Sequence, residues 1–209
     1  MKPQPLQFSS PPDDREELAR AEIYGLLAQL FMVAPAPEFY EQLRVAPTEA
    51  PTRGGLLEAS FGELVASARR LSREAVASEY DALFQGIGKP EIFLYGSFHL
   101  AGTVNDKPLV QLRHDLRALG LERADGHGET EDHLASLCEV MRYLIAGDDP
   151  VLGSLVAQQR FHAAHLGDWV SRLCEQVAAH PQADFYRTVA LFARDFFAVE
   201  QQAFDLLDG

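Results

Sequence analysis

Nowhere in the 209 residues does an uncharged apolar run reach the length of a bilayer span, although 47% of the residues are apolar; this excludes a membrane-spanning helix. Basic residues are scarce: 18 Lys plus Arg stand against 31 acids, a formal charge of −13. Such a balance repels nucleic acid and anionic lipid and favours basic partners. The two cysteines, Cys138 and Cys174, lie in apolar helical stripes and show no CxxC or Cys/His ligand spacing. They read as buried free thiols, in keeping with a reducing compartment. No Pro/Ser/Gly-rich linker divides the chain, so residues 13–209 are expected to fold as one domain behind a disordered tail, residues 1–12. That tail carries one lysine and no apolar h-region, which fits neither a secretory signal nor a transit peptide and points to the cytoplasm.

Two short motifs also fall away. Arg69 and Arg70 imitate a twin-arginine export motif, but Ser72, Arg73 and Glu74 follow where an apolar region would have to be. Gly86 to Lys89 imitates a phosphate loop, yet Pro90 replaces the Ser or Thr that chemistry requires, and a helix rather than a strand precedes it.

What is present is helical. After Ser10, Pro11, Pro12 and Asp13, a cap-and-proline start, Ile23, Leu26, Leu27, Leu30 and Phe31 recur at helical spacing, and the helix should end near Val33. A short helix is expected over Pro37 to Arg44, a loop over Val45 to Gly55, and an amphipathic helix over Leu56 to Leu71. Ser72 can cap the next, in which Val76, Tyr80, Leu83 and Phe84 have a period near 3.6. Between Gln85 and Lys107 the pattern stops; Ile92, Phe93, Leu94, Tyr95, Phe98 and Leu100 are apolar but have no partner strand, so a packed loop is expected. Leu109, Leu112, Leu116 and Leu119 form a stripe between Pro108 and Gly120. Asp148, Asp149 and Pro150 open a long helical region with Gln158, Phe161, His165 and Trp169 along one side, and a last helix runs from about Ala183 to Leu207. About eight helices and almost no strand make an all-α bundle.

The stretch Gly128 to Ile145 couples charge to core. Leu134, Leu137, Cys138, Met141, Leu144 and Ile145 mark one buried helix face. Thr130 suits an N-cap, with Glu131 and Asp132 in the first turn where the helix dipole favours acids, and His133 at the rim. Those acids serve either ordinary helix initiation or a site.

Placed on these elements, the residues resemble a family, the cytoplasmic maturation chaperones of the TorD, DmsD and NarJ type, which attend molybdenum-containing redox enzymes. Glu79, Tyr80, Leu83, Phe84 and Gly86 resemble its Glu-Tyr-x-x-Leu-Phe-x-Gly segment, and Tyr95 with Ser97 its loop motif ending in serine. Asp132 and His133 are similar to its Asp-His pair, Gln158, Phe161, His165 and Trp169 to its Gln, Phe, His, Trp helix, and Phe185 with Tyr186 to the aromatic pair opening its last helix. The likeness runs in order over roughly residues 13–205. Departures exist: Glu131 stands where proline is common, Ser136 where glutamate is, and Gly96 where an acid is frequent. These leave the client subgroup open.

The resemblance implies a protein that is not an enzyme and needs no cofactor. It would bind the twin-arginine signal peptide of an apo-molybdoenzyme and hold the enzyme back from export until cofactor is inserted. Two arginines followed by an apolar segment call for carboxylates beside a greasy groove. On this reading Asp132, Glu131 and Glu129 take the cationic end, with His133 hydrogen-bonding beside them. Tyr95, Phe93 and Phe98 line the apolar end, and Ser97 completes the loop. Glu79, Tyr80, Phe84, His165 and Trp169 are expected to be structural. The partner set is the peptide and its enzyme, with no nucleic acid and no membrane insertion, the chain being a monomer or a segment-exchanged dimer.

Two other readings stay open. His127, Glu129, Asp132, His133, His162 and His165 are metal-ligating types, so a metal-dependent helical-bundle enzyme is the alternative, though no HExxH and no paired Glu-x-x-His motif is present. An adaptor binding the folded client rather than its leader is the third.

Overall fold

The computed structural model describes residues 15–48, 55–86, 89–123, 128–147, 149, 151–167 and 169–207. Among them are ten α-helices, one π-helical turn and no strand, so the chain is all-α. The expected tail, residues 1–12, lies outside the described residues, as do His127, Asp148 and Pro150. The helices are α1 (Arg15–Met32), α2 (Pro37–Arg44), α3 (Glu58–Arg70), α4 (Arg73–Tyr80), α5 (Gly96–Ala101), α6 (Lys107–Ala118), α7 (Leu134–Ala146), α8 (Leu155–His165), α9 (Val170–Ala179) and α10 (Phe185–Asp205). No helix among the described residues is long and apolar enough to cross a membrane. Backbone contacts gather into two compact units: Val33–Ile92 with the chain from Ser171 onward, and α1 with Phe93–Val170.

In the first unit α10 packs on α3 and α4, and α2 on α3. Ser72 caps α4 by accepting the Ala75 amide at 3.2 Å, as its position predicts. The helix then widens into a π turn, Asp81–Gln85, closed by Gly86 N–H donating to the Asp81 carbonyl at 3.1 Å; such turns give up regular bonding to re-aim side chains. Gly86 has φ +47°, and a Cβ there would strike the Lys89 carbonyl, so the position needs glycine. The Glu79 carboxylate accepts the amides of Asp184, Phe185 and Tyr186 at 2.9, 3.0 and 2.7 Å, capping α10 from another helix. Tyr80 and Phe84 lie with their ring centroids 5.7 and 5.1 Å from that of Tyr186. Leu83 is fully buried and its carbonyl accepts the Ile92 amide at 2.9 Å, so every singled-out residue of the Glu79–Gly86 segment has a structural task. The Arg69–Arg70 pair is spent likewise: Arg69 donates to the Arg44 and Ala46 carbonyls, both at 2.9 Å, and Arg70 grips Asp184 at 2.5 and 2.9 Å.

In the second unit α1 lies along α7, α5 packs on α6 and α7 on α8. Its core joins Leu27, Leu30 and Phe31 of α1 to Leu134, Cys138 and Met141 of α7, all fully buried. Two expectations shift here, and the interruption expected at Gly167 is found. The apolar segment 85–107 is loop where it crosses into this unit, but it carries a short helix, α5. The helix expected from Asp148 begins at Leu155, because the Asp149 carboxylate accepts the Val151 and Leu152 amides at 2.8 and 3.1 Å in a turn, and Ser154 caps the helix through Ala157 N–H at 3.3 Å. It breaks after His165 around Gly167, and the chain is helical again from Val170.

Candidate functional site

Residues 93–99 and 128–134 come together through main-chain pairing. Gly96 N–H donates to the Asp132 carbonyl at 2.9 Å and Leu134 N–H to the Leu94 carbonyl at 2.8 Å, with Tyr95 and His133 forming an isolated antiparallel bridge. This pairing holds residues 130–133 out of helical conformation, so α7 starts at Leu134 and not in the turn after Thr130. His133 is its N-cap, φ −63° and ψ 136°, and its Nδ1 accepts the Ala135 amide at 3.2 Å. The Thr130 cap with first-turn acids is therefore corrected: Glu131 and Asp132 precede the helix.

Asp132 is 3% exposed. Its two oxygens accept the Ser97 amide at 2.8 Å and the Thr130 hydroxyl at 2.7 Å, so the carboxylate caps the start of α5 from the opposite segment. Ser97 is fully buried, and its Oγ accepts the Asn105 amide at 3.1 Å. These two residues and His133 form the inner layer of the site.

The outer layer holds the remaining candidates. The Tyr95 hydroxyl donates to Glu129, and the Tyr95 ring meets His133 edge-on at 5.1 Å between centroids. Phe93 and Phe98, both half-buried, stack at 4.1 Å. Glu131 is held in a two-point fork, Arg113 Nε to Oε1 at 3.0 Å and a terminal guanidinium nitrogen to Oε2 at 2.9 Å. Burial alone would raise the Glu131 carboxyl, but the hydrogen bonds and charge of Arg113, with a bond from its own backbone, bring it below the ordinary glutamate value. The fork in turn raises Arg113. All eight candidates, Phe93, Tyr95, Ser97, Phe98, Glu129, Glu131, Asp132 and His133, thus lie on two paired segments, but at two depths.

Two depressions adjoin them. One, of about 90 Å³, is lined by Ser97, Asp132, Leu100, Leu112, Leu137 and His165 among others. The other is an open basin of about 660 Å³ with Arg113, Arg117, Arg123, Glu122 and Glu131 on its wall. Behind the first, the buried His165 donates through Nε2–H to the Asp115 carboxylate at 3.0 Å, and its carbonyl accepts the Trp169 indole N–H at 2.8 Å. Burial lowers the His165 imidazole despite Asp115, so at neutral pH the contact is a hydrogen bond to a neutral ring. Trp169 is fully buried and stacks on His99 at 5.2 Å. A Cβ on Gly96 would lie 3.4 Å from that indole, in ordinary van der Waals contact with it.

The metal-dependent alternative finds no support in this geometry. Among the described residues no three His, Cys, Asp or Glu side chains are placed to hold an ion. Asp132, His133 and His165 are each turned to other partners. The residue that sequence reasoning missed is Arg113; it lies 18 positions from Glu131, and no periodicity links a helix residue to a loop residue at that distance.

The nitrate reductase delta subunit family matches residues 54–175. Over 204 residues the chain is 26% identical to the chaperone protein TorD of Vibrio cholerae serotype O1, covering 90% of this chain and 93% of the relative, and the same holds for TorD of further strains of that organism. It shares its fold with the crystal structure of a candidate redox enzyme maturation protein from Archaeoglobus fulgidus, at a TM-score of 0.57 and 17% identity, with 92% of this chain and 98% of that chain covered. With more than half its length matched, the chain belongs to the nitrate reductase delta subunit family, the TorD/NarJ-type chaperones that its motifs resemble.

Proposed function

We propose that this chain is a cytoplasmic maturation chaperone of a molybdenum-containing redox enzyme and holds that enzyme's twin-arginine signal peptide on the surface formed by Phe93, Tyr95, Phe98, Glu129 and Glu131. The observation that carries the reading is the fork on Glu131: this carboxylate already takes a guanidinium at two points, 2.9 and 3.0 Å, on the segment with Glu129 that pairs with the one carrying the stacked Phe93 and Phe98. Bidentate geometry selects guanidinium over other cations. In this reading Asp132, His133 and Ser97 act from beneath. Their bonds hold the two segments in register and so fix where the outer acids stand.

The test is calorimetric titration of the enzyme's synthetic leader carrying paired arginines against the same leader carrying paired glutamines. Tighter binding of the arginine form, lost on combining Glu129→Gln with Glu131→Gln, is the expected result. Equal affinity of both leaders, or no loss in the double variant, would remove these acids from the contact. Binding of the client with and without its leader separates this reading from an adaptor for the folded enzyme.

A further inference from the structure

We propose that Arg113 is a built-in competitor of the peptide at this surface, occupying the Glu131 carboxylate until a guanidinium tethered to the same surface replaces it; the inference rests on the peptide-binding reading above. The pair is asymmetric. The Glu131 side chain is 14% exposed and that of Arg113 40%, so the carboxylate is recessed and the guanidinium lies over it. Both carboxylate oxygens are engaged, leaving no open oxygen edge for a second fork. Arg113 also borders the basin of about 660 Å³, which gives its side chain space to swing aside without moving α6. Release is resisted there by Arg117 and Arg123 on the same wall, and eased by Glu122.

Exchanging one guanidinium for another on the same fork changes neither the number of hydrogen bonds nor the charge pairing. A free arginine therefore gains nothing by displacing Arg113, whose attachment gives it an effective concentration on the order of millimolar or more. A peptide already seated on Phe93 and Phe98 by its apolar part presents its arginine on the same intramolecular terms and can compete. A lysine cannot, because a point ammonium does not reproduce the two-point fork that it would have to replace. Glu131 stands where proline is common in the family, so the gate belongs to this chain's own choice of client and not to the fold.

The experiment compares wild type with Arg113→Gln, titrated with three probes: a leader with paired arginines, the same leader with paired lysines, and N-acetyl-arginine amide. Wild type is expected to prefer the arginine leader and to show no heat with the amide. Arg113→Gln is expected to bind the arginine leader about two- to fivefold more tightly, the range of an ion pair this exposed, and the lysine leader more tightly by a smaller factor, because the vacated carboxylate still forks only a guanidinium. Adding Glu131→Gln removes the gain. Circular dichroism and the melting midpoint establish that the variant is folded; should it not be, Arg113→Lys, which keeps the charge and loses the fork, must give an intermediate gain. Unchanged arginine-leader affinity in a folded Arg113→Gln, with wild type still preferring arginine over glutamine, overturns the gate alone. Failure of both proteins to tell arginine from glutamine leaders overturns the peptide-binding reading and the gate with it.

Discussion

Glu79 and Glu131 are both half-buried carboxylates holding cross-chain hydrogen bonds, yet they differ in who answers them. Glu79 accepts three backbone amides at the start of α10, at 2.7 to 3.0 Å. Glu131 accepts one side chain, Arg113. An amide at a helix terminus cannot leave without unwinding the turn that presents it, so Glu79 is committed to the fold. A guanidinium on a flexible stem can be replaced by another guanidinium, so Glu131 is held without being spent. Burial and hydrogen bonding alone would rank the two as similar. The mobility of the partner separates a structural acid from one able to serve a ligand.

The sharpest way to break this comparison is Glu79→Ala. Three amides lose a charged acceptor in partial exposure, and a loss of about 2–4 kcal/mol is expected, combining cap and charged hydrogen-bond magnitudes. For a chain of this size that lowers the melting midpoint by roughly 4–16 °C, read by calorimetry. A midpoint within a degree of wild type would show that the three amides find water instead. Next comes Asp132→Asn, which sets an amide group against donors on both sides. About 1–3 kcal/mol is expected, measured by urea unfolding, together with weaker leader binding because the paired segments lose register.

The pH dependence is a subtler probe of the second unit. His165 is lowered from 6.5 by burial, so between its folded value and 6.5 the unfolded chain binds the extra proton. Stability contributed by the neutral ring is present above pH 6.5 and declines as the pH falls below it, with a slope no steeper than about 1.4 kcal/mol per unit. His165→Gln should flatten the decline as the pH falls below 6.5. Asp115 is shifted the other way: burial would raise it, but hydrogen bonds from Gln111, His114 and His165 bring it below 3.8. Its contribution persists above 3.8 and vanishes only as the pH falls through its lower folded value, which keeps the two windows apart. The smallest effect is on Glu131→Gln: with Arg113 40% exposed, the pair is worth less than about 1 kcal/mol of stability, so the melting midpoint should hardly move while arginine-leader affinity falls. A large drop in stability would place Glu131 with Glu79 as a structural acid.

Much of this architecture was legible from spacing. The helix at Pro37–Arg44 has the predicted bounds, and Ser72 caps where a cap was expected. Gly120 takes φ +72° just past the end of α6. Each of these depends on residues three or four apart, or on one residue's own conformational range. The Thr130 reading failed for the complementary reason. Its local chemistry favoured a helix start, but main-chain bonds from Leu94 and Gly96 to Leu134 and Asp132 hold the segment extended. Local preference of that kind is worth about a kilocalorie and yields to two buried backbone hydrogen bonds.

The site divides along the same line. Its eight candidates were named from the chain alone: Tyr95, Ser97, Asp132 and His133 through their likeness to a family pattern, and Glu129, Glu131, Phe93 and Phe98 as acids and aromatics suited to a cationic and apolar peptide. That Asp132, His133 and Ser97 lie inside while Glu129 and Glu131 lie outside is decided by the pairing of residues 93–99 with 128–134. That Glu131 meets Arg113 is decided by the placement of α6 beside the turn before α7. Helices follow from the chain because their hydrogen bonds and apolar faces repeat at a fixed short interval. Depth, and the identity of a charge's partner, depend on segments tens of residues apart being brought within 3 Å, and only the folded packing does that.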